Sequence, residues 1–411
     1  MKKAMKLVSL VLAVVMLLGC LTACGSKSAT TDATASTDTA SNDTAAASDG
    51  GEIVIALISN TTGDYAQYGQ PVRDGAMLYI NQLNANGGIN GKQVKVLEYD
   101  DKGDGVEAVN AYNLACDNGI TAVFGATLTG TTIALADATY EDNMPQVTAS
   151  ATATGVTVID PADPESEIRP NVFRACFIDP FQGRVMAEFA DKTLGVKNVA
   201  ILHDASSDYS KGLAEVFEKT LNEKGGKVVA KEAFLSKDID FKAALTKIKA
   251  ANPEAIYIPG YYEEVAKIIK QTREIGLNVP LIGCDGWDSP KLVEIAGPEA
   301  LNNTYFSSAF SVQDQTESVQ KFIADYKAMY QKDPDIFCMQ GYNAGLVLAD
   351  ALKRAGDGAD GTKLAAAIAA TKDLPVASGK LTYDKDHNPI ISAIIIEMKD
   401  GVQSFKEKIS L

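Results

Sequence analysis

Hydroxyl-bearing residues crowd two short turns of this chain. The segment Gly125-Ala126-Thr127-Leu128-Thr129-Gly130-Thr131-Thr132 follows the apolar run Ile120 to Phe124 and opens a helical pattern that continues to Glu141. Thr129 is the expected N-cap there, beside free N–H groups and the positive dipole end of a helix. Such a helix start attracts an anion without lysine or arginine. The second turn, Thr148-Ala149-Ser150-Ala151-Thr152, follows the strand around Pro145-Gln146-Val147 and is expected at the same sheet edge. Together the two turns suit a small carboxylate. A complementary set lies further along the chain. Gly283-Cys284-Asp285-Gly286-Trp287 follows Pro280-Leu281-Ile282, Asp208-Tyr209 follows a strand ending at His203, and Gly260-Tyr261-Tyr262 follows one ending at Ile258. An acid and tyrosines facing a hydroxyl-lined anion pocket match the two ends of a zwitterion. The plainer alternative is that Asp285 caps a turn and the tyrosines only flank loops.

Other chemistries find little support. Gly87-Gly88-Ile89-Asn90-Gly91-Lys92 departs from a phosphate loop in its glycine spacing and in carrying Gln93 where Ser or Thr is needed. Asp100-Asp101-Lys102-Gly103-Asp104-Gly105 departs from a calcium loop at Lys102 and at Ala111, the place of a bidentate Glu. There is no GxSxG elbow, and His203 and His387 are the only histidines. Cys116, Cys176, Cys284 and Cys338 have neither zinc spacing nor the density of a disulfide framework. No catalytic residue, metal or cofactor is expected.

The elements that must hold these turns alternate regularly. Ile53 to Ile58 reads as a buried parallel strand, Gly69 to Asn84 as a helix ended by Gly87-Gly88, and Val94 to Tyr99 as a strand. A helix (Val106 to Asp117), the strand Ile120 to Phe124 and a helix (Thr131 to Glu141) follow. A Pro-rich stretch, Pro161 to Pro170, interrupts the pattern. It then restarts with a helix (Phe181 to Leu194), a strand (Asn198 to His203), a helix (Tyr209 to Glu223) and a strand (Lys227 to Ala233). Phe241 to Ala250, Ile256 to Ile258, Glu263 to Ile275 and Pro280 to Ile282 complete a second unit of similar size. Val319 to Tyr330 and Gln340 to Ala355 read as helices, and Lys380 to Tyr383, Ser392 to Met398 and Val402 to Lys406 as strands. The expected fold is α/β: two doubly wound Rossmann-like lobes joined by several crossings, with a ligand cleft at the strand C-termini.

The N-terminus carries an address. Lys2, Lys3 and Lys6 precede the apolar stretch Leu7 to Leu18, which has the length of a signal-peptide core and is too short to span a bilayer. Leu21-Thr22-Ala23-Cys24-Gly25 resembles a bacterial lipobox, with Cys24 as the lipidated residue; Cys20 is a weaker second candidate. Residues 25–49 contain no Val, Ile, Leu, Met or aromatic residue and read as a flexible tether. A lipid-anchored protein on the outer face of the cytoplasmic membrane is expected. The 411-residue chain is 46% hydrophobic, ordinary for globular protein, and its net charge of −15 argues against nucleic acid as a partner.

Residues 52–411 resemble a type I solute-binding protein of the branched-chain amino acid ABC transporter family, leucine/isoleucine/valine-binding protein-like. The residues that carry the likeness are Gly63 to Gly69, the INQLNANGGING stretch from Ile80 to Gly91, Tyr99-Asp100-Asp101, Ser150-Ala151-Thr152, Tyr209-Ser210-Lys211-Gly212, Asp238 to Phe241 and Gly260-Tyr261. The resemblance implies a type I periplasmic-binding-protein fold, with 51–173 plus 309–381 as one lobe and 174–308 plus 382–411 as the other. Residues 1–23 are then signal peptide and 24–50 tether. It further implies that Thr129 and Thr152, with N–H groups around Ala151, hold a ligand carboxylate. The Ser150 carbonyl and Asp285 would hold its ammonium, and Tyr68, Tyr209, Tyr261 and Phe337 would line the side-chain pocket. Thr129 stands where Ser is usual in the family, and Asp285 where Glu occurs in some members. Partners implied are an L-amino acid, most simply leucine, isoleucine or valine, and an ABC permease, with the protein acting as a monomer. Alternatives are a sensory binding module for another small amino acid or amide, and an exported α/β enzyme.

Overall fold

The structure, a computed structural model, describes residues 51–409. The expected signal, Cys24 and the tether lie outside the described residues. The chain begins β1 (Ile53–Ser59), α1 (Ala66–Ala85), β2 (Val94–Asp100), α2 (Gly105–Cys116), β3 (Ala122–Gly125), α3 (Thr129–Glu141), β4 (Gln146–Thr148) and β5 (Val172–Arg174). These strands form one parallel sheet in the order β2-β1-β3-β4-β5. Both faces of β1 are covered, as its unbroken apolar sequence requires. Ile55 and Leu57 join a core that includes Val72 and Ala76 of α1, whereas Ala56 and Ile58 pack with Ala108 and Tyr112 of α2.

The pattern then repeats with α4 (Asp179–Glu188), β6 (Asn198–Asp204), α5 (Asp208–Glu223), β7 (Lys227–Phe234), α6 (Lys242–Ala250), β8 (Ala255–Tyr257), α7 (Tyr262–Glu274), β9 (Leu281–Gly283), α8 (Pro290–Ala296) and β10 (Thr304–Ser308). The chain recrosses to supply α9 (Glu317–Tyr330), α10 (Ile336–Ala355), α11 (Gly361–Ala369) and a small hairpin of β11 (Leu374–Val376) and β12 (Gly379–Leu381). A last crossing leads to β13 (Ala393–Lys399) and β14 (Val402–Ile409). The second sheet runs β14-β13-β10-β9-β8-β6-β7, parallel except where β13 pairs with β10 and β14. Both sheets share one winding: the first strand of each unit lies between its second and third. That reversal of strand order leaves a crevice beyond the strand C-termini. α10 packs against α1, so the helices after β10 complete the first lobe.

Three expectations shift. The helix expected from Phe181 to Leu194 starts two residues earlier, at Asp179, and loosens into a π-turn over Phe189–Thr193. The strands β5, β10 and β11 and the helices α8 and α11 are additions. α3 begins at Thr129, so Leu128 occupies the N-cap position and makes no side-chain cap. Thr129 is therefore the first helical residue and not the cap.

Candidate ligand-binding site

The two hydroxyl turns do reach one edge. β3 ends at Gly125, whose φ of +142° is open to glycine and strained for other residues. From there the chain swings across the ends of β1 and β4. Ser59 Oγ, at the end of β1, lies 2.7 Å from Thr127 Oγ1 and donates to the Gly69 carbonyl at 3.0 Å. Thr148 Oγ1 donates to the Ala126 carbonyl at 2.6 Å, and Ser150 Oγ donates to the Thr127 carbonyl at 2.8 Å. These bonds fix the turn to both neighbouring strands. The early N–H groups of α3, which have no intrahelical acceptor, then open beside Thr129.

Asp285 follows β9 and is 2% exposed. Its Oδ1 accepts from Tyr209 Oη at 2.6 Å and from Gln182 Nε2 at 3.1 Å. The Asp285 N–H donates back to Gln182 Oε1 at 3.2 Å, and Ser307 Oγ donates to the same oxygen at 2.8 Å. Gly286 is needed beside it: a Cβ there would lie 2.7 Å from the Gly260 carbonyl oxygen and 2.9 Å from Tyr209 Oη. Burial pushes the Asp285 carboxyl up to about 6, with the bonds from Tyr209 and Gln182 working against the shift.

Thr129, Ser150, Thr152, Asp285, Tyr209, Tyr261, Tyr68 and Phe337 all line one cavity, together with Thr127, Leu128 and Gly286. The threonine and serine turns and the α3 start come from the first sheet's edge, and Asp285 from the second's. No lysine, arginine or histidine lines it. Tyr209 stacks on Tyr261 at 5.1 Å between ring centres, and Tyr68 meets the edge of Phe337 at 4.8 Å. Tyr68 also bridges the lobes. Its Oη donates to the Gly286 carbonyl at 2.5 Å and accepts the Tyr262 N–H at 2.9 Å. Tyr262 Oη in turn donates to the Asp64 carbonyl at 2.5 Å. The lobes thus touch directly across the cleft.

Ala151 stands apart from this set. It does not line the cavity: its N–H turns back to Thr148 Oγ1 at 3.3 Å, and its carbonyl accepts Arg174 Nη1 at 2.9 Å.

Sequence reasoning passed over Gln182 and Asp179. Both lie at the start of α4, where Asp179-Pro180 after a short strand was a visible helix-start signal. Asp179 is 1% exposed, its N–H donates to the Thr152 carbonyl at 3.0 Å, and neither carboxylate oxygen has a partner. Thr152 Oγ1 is likewise buried without a partner. Burial drives the Asp179 carboxyl well above the ordinary range. Cys116, Cys176, Cys284 and Cys338 are all unpaired thiols. No group of three or more potential metal ligands occurs among the described residues.

An ammonium held by Asp285 requires the ionised carboxylate. Affinity for a zwitterion is therefore expected to be level well above pH 6 and to fall as pH drops through about 6, approaching tenfold per pH unit below that. Calorimetry across pH 5–8 checks it; constant affinity over that range would remove Asp285 from the ammonium. In the ligand-free protein the sign reverses. A carboxyl whose pKa is raised from 3.8 to about 6 on folding contributes stability below the lower value and loses it as pH rises through the upper one.

Comparisons with known proteins converge on this architecture. The family model described as "periplasmic binding protein" matches residues 52–403. The chain is 33% identical to the Leu/Ile/Val-binding protein BraC3 of Rhizobium johnstonii over 332 residues, covering 81% of this chain and 87% of the relative. It is 31% identical to the leucine-, isoleucine-, valine-, threonine- and alanine-binding protein of Pseudomonas aeruginosa, over 81% of this chain and 86% of that one. Among solved structures, the branched-chain amino acid transporter substrate-binding protein LivJ of Streptococcus pneumoniae, in complex with isoleucine, superposes with a TM-score of 0.80 at 32% identity, over 87% of this chain and 99% of its own. The leucine-binding protein LivK of Thermotoga maritima gives 0.80 at 34% identity, over 87% and 98%. The repeated winding, the crossings and the cleft between the lobes are those of a type I binding protein, and the chain belongs to the periplasmic binding protein family.

Proposed function

We propose that this protein is the extracytoplasmic substrate-binding component of an ABC importer, which captures an L-amino acid with an aliphatic branched side chain and passes it to the permease. The observation that carries the reading is the single cavity with opposed ends. Thr129, Ser150 and Thr152 follow strands of the first sheet and Asp285 a strand of the second, and all line this one cavity with Tyr68, Tyr261 and Phe337. The α-carboxylate meets Thr129, Thr152 and the N–H groups, and the α-ammonium meets Asp285 and the Ser150 carbonyl. The side chain lies against Tyr68, Tyr261, Phe337 and Leu128. The Tyr68 and Tyr209 hydroxyls are already hydrogen-bonded within the protein, which leaves those walls mainly apolar.

Capture is binding without covalent chemistry. One lobe, 51–173 with 309–381, offers the carboxylate seat; the other, 174–308 with 382–411, brings Asp285 and two tyrosines. Only the closed arrangement engages both ends, so ligand draws the population toward closure. A thermal-shift panel of the twenty amino acids tests the ligand class. Leucine, isoleucine and valine are expected to give the largest increases, since ligand at 100 times its Kd stabilises the folded state by about 2.7 kcal/mol. A panel led by glutamate, lysine or arginine would overturn the reading.

Attachment to the outer face of the cytoplasmic membrane through a lipid on Cys24 belongs to the same proposal. It rests on the lipobox-like Leu21-Thr22-Ala23-Cys24 and the apolar-free tether. Cys24→Ala is expected to move the protein from the membrane to the soluble fraction, and Cys20→Ala to leave it in place. Fractionation with the opposite result would reassign the lipid.

A further inference from the structure

Arg174, the last residue of β5, is buried without exposed surface. Its Nη1 donates to the Ala151 carbonyl at 2.9 Å and its Nη2 to Thr157 Oγ1 at 3.1 Å, while Nε has no partner. Buried cations are nearly always paired with an acid. Arg169, a few residues earlier and also buried, follows that rule and reaches Asp137 at 2.6 Å. Arg174 makes no ion pair among the described residues. Burial pulls its pKa below the ordinary arginine value, with Cys176 and Asp179 acting against the shift, yet a guanidinium stays charged at neutral pH. Burial also pushes the Cys176 thiol and the Asp179 carboxyl up, toward their neutral forms, so neither cancels the charge.

The guanidinium acts on one peptide unit. The Ala151 carbonyl, which also accepts Cys176 Sγ at 3.4 Å, and the Thr152 N–H belong to the same planar trans group, so they point in opposite directions. Arg174 grips the carbonyl end and does not line the ligand cavity, whereas Thr152 does. The N–H end is thus the cavity end, and it donates to no group among the described residues. A hydrogen bond from an ionised donor to the carbonyl polarises the whole unit and strengthens the N–H at its far end as a donor. No cation lines the cavity, so positive charge reaches it from behind, through this peptide.

We propose that Arg174 is a positioning residue for the ligand's α-carboxylate: through the Ala151–Thr152 peptide it holds the Thr152 N–H toward the cavity and supplies the positive charge that the hydroxyl-lined seat lacks. The proposal rests on the carboxylate seating given above. Arg174 does two things at once. Its fork joins Ala151 to Thr157 and so fixes the turn in one geometry. Its charge favours an anion over a neutral group in the seat, with little screening because the path between them is buried.

The test compares L-leucine with L-leucinol, which keeps the ammonium and the branched chain but carries a neutral hydroxymethyl in place of the carboxylate. Both are titrated by calorimetry into the purified full chain at neutral pH. In Arg174→Met, leucine is expected to bind at least about tenfold more weakly and leucinol to change by less than about threefold, so the discrimination between them shrinks. Arg174→Lys keeps the charge and is expected to keep most of the wild-type discrimination; it decides the matter if the methionine variant does not fold. Equal losses for both ligands in Arg174→Met, which a merely structural role would give, would overturn the proposal. So would a lysine variant whose discrimination falls by about tenfold. A wild-type chain that binds no leucine would overturn the cleft reading itself, whereas unchanged discrimination in Arg174→Met beside a wild type that binds leucine would overturn only the role given to Arg174.

Discussion

Replacing Asp285 with alanine is expected to cost about 2–5 kcal/mol of L-leucine binding, a loss of roughly 30-fold to a few thousand-fold in affinity. The reason is the burial of the site. An ammonium brought into the closed cavity leaves water behind, and Asp285 is the only ionisable acid among the lining residues. Without it, the ligand's charge is desolvated and uncompensated. The protein itself should tolerate the change. Losing a buried carboxylate relieves a cost, as its raised pKa indicates, and this offsets part of the penalty of leaving Tyr209 Oη and Gln182 Nε2 without their acceptor. Calorimetry reads the affinity, and a thermal melt of the ligand-free variant confirms the fold. Unchanged affinity in a folded variant would make Asp285 a turn residue only.

Trp287→Ala is expected to destabilise the protein by about 3–5 kcal/mol through loss of its buried bulk. Trp287 has no exposed surface, and its Nε1–H donates to the Ile258 carbonyl at 3.0 Å. It packs against Phe306 of β10 with ring centres 6.3 Å apart. Truncation opens a cavity under the Asp285-Gly286 turn and strips the Ile258 carbonyl of its donor, which adds about 1–3 kcal/mol if no water replaces it. Domains are commonly stable by only ~5–15 kcal/mol, so the shift should be plain in a denaturant melt. Trp287→Phe should fall between, since it restores part of the ring and not the N–H. A loss under about 1 kcal/mol would mean that the turn is held by other contacts.

Much of this architecture was legible because both sheets are mainly parallel and buried. Ile53 to Ile58 and Val199 to Leu202 announce themselves by uninterrupted apolar sequence, and amphipathic helices lie between such strands. β10 escaped because its sequence is Thr-Tyr-Phe-Ser-Ser: its hydroxyls are buried yet satisfied, Thr304 by the Leu301 carbonyl at 2.7 Å and Ser307 by Gln182 at 2.8 Å. β5 escaped because three residues carry no periodicity. The start of α3 was misplaced by one residue because a threonine after a strand has the composition of an N-cap, while the chain uses Leu128 there and keeps Thr129 facing the cavity.

At the site, the residues found from pattern share one property: each lies just beyond a strand C-terminus. Asp285, Thr129 and Tyr261 follow from that rule. Tyr68 and Phe337 sit on α1 and α10 and came only through family likeness. Gln182 and Asp179 belong to α4, which begins after a crossing, and no sheet-edge rule points to them. Their importance is a matter of three-dimensional pairing, in which Gln182 grips both the side chain and the N–H of Asp285. A one-dimensional pattern does not hold that information.

On the proposed reading, the cleft holds both ends of a branched zwitterion. Calorimetric comparison of L-leucine with 4-methylpentanoate, which keeps the carboxylate and the branched chain but lacks the ammonium, tests it directly. Leucine is expected to bind at least about 30-fold more tightly, matching the loss assigned to Asp285. Equal affinity for the two would contradict the account.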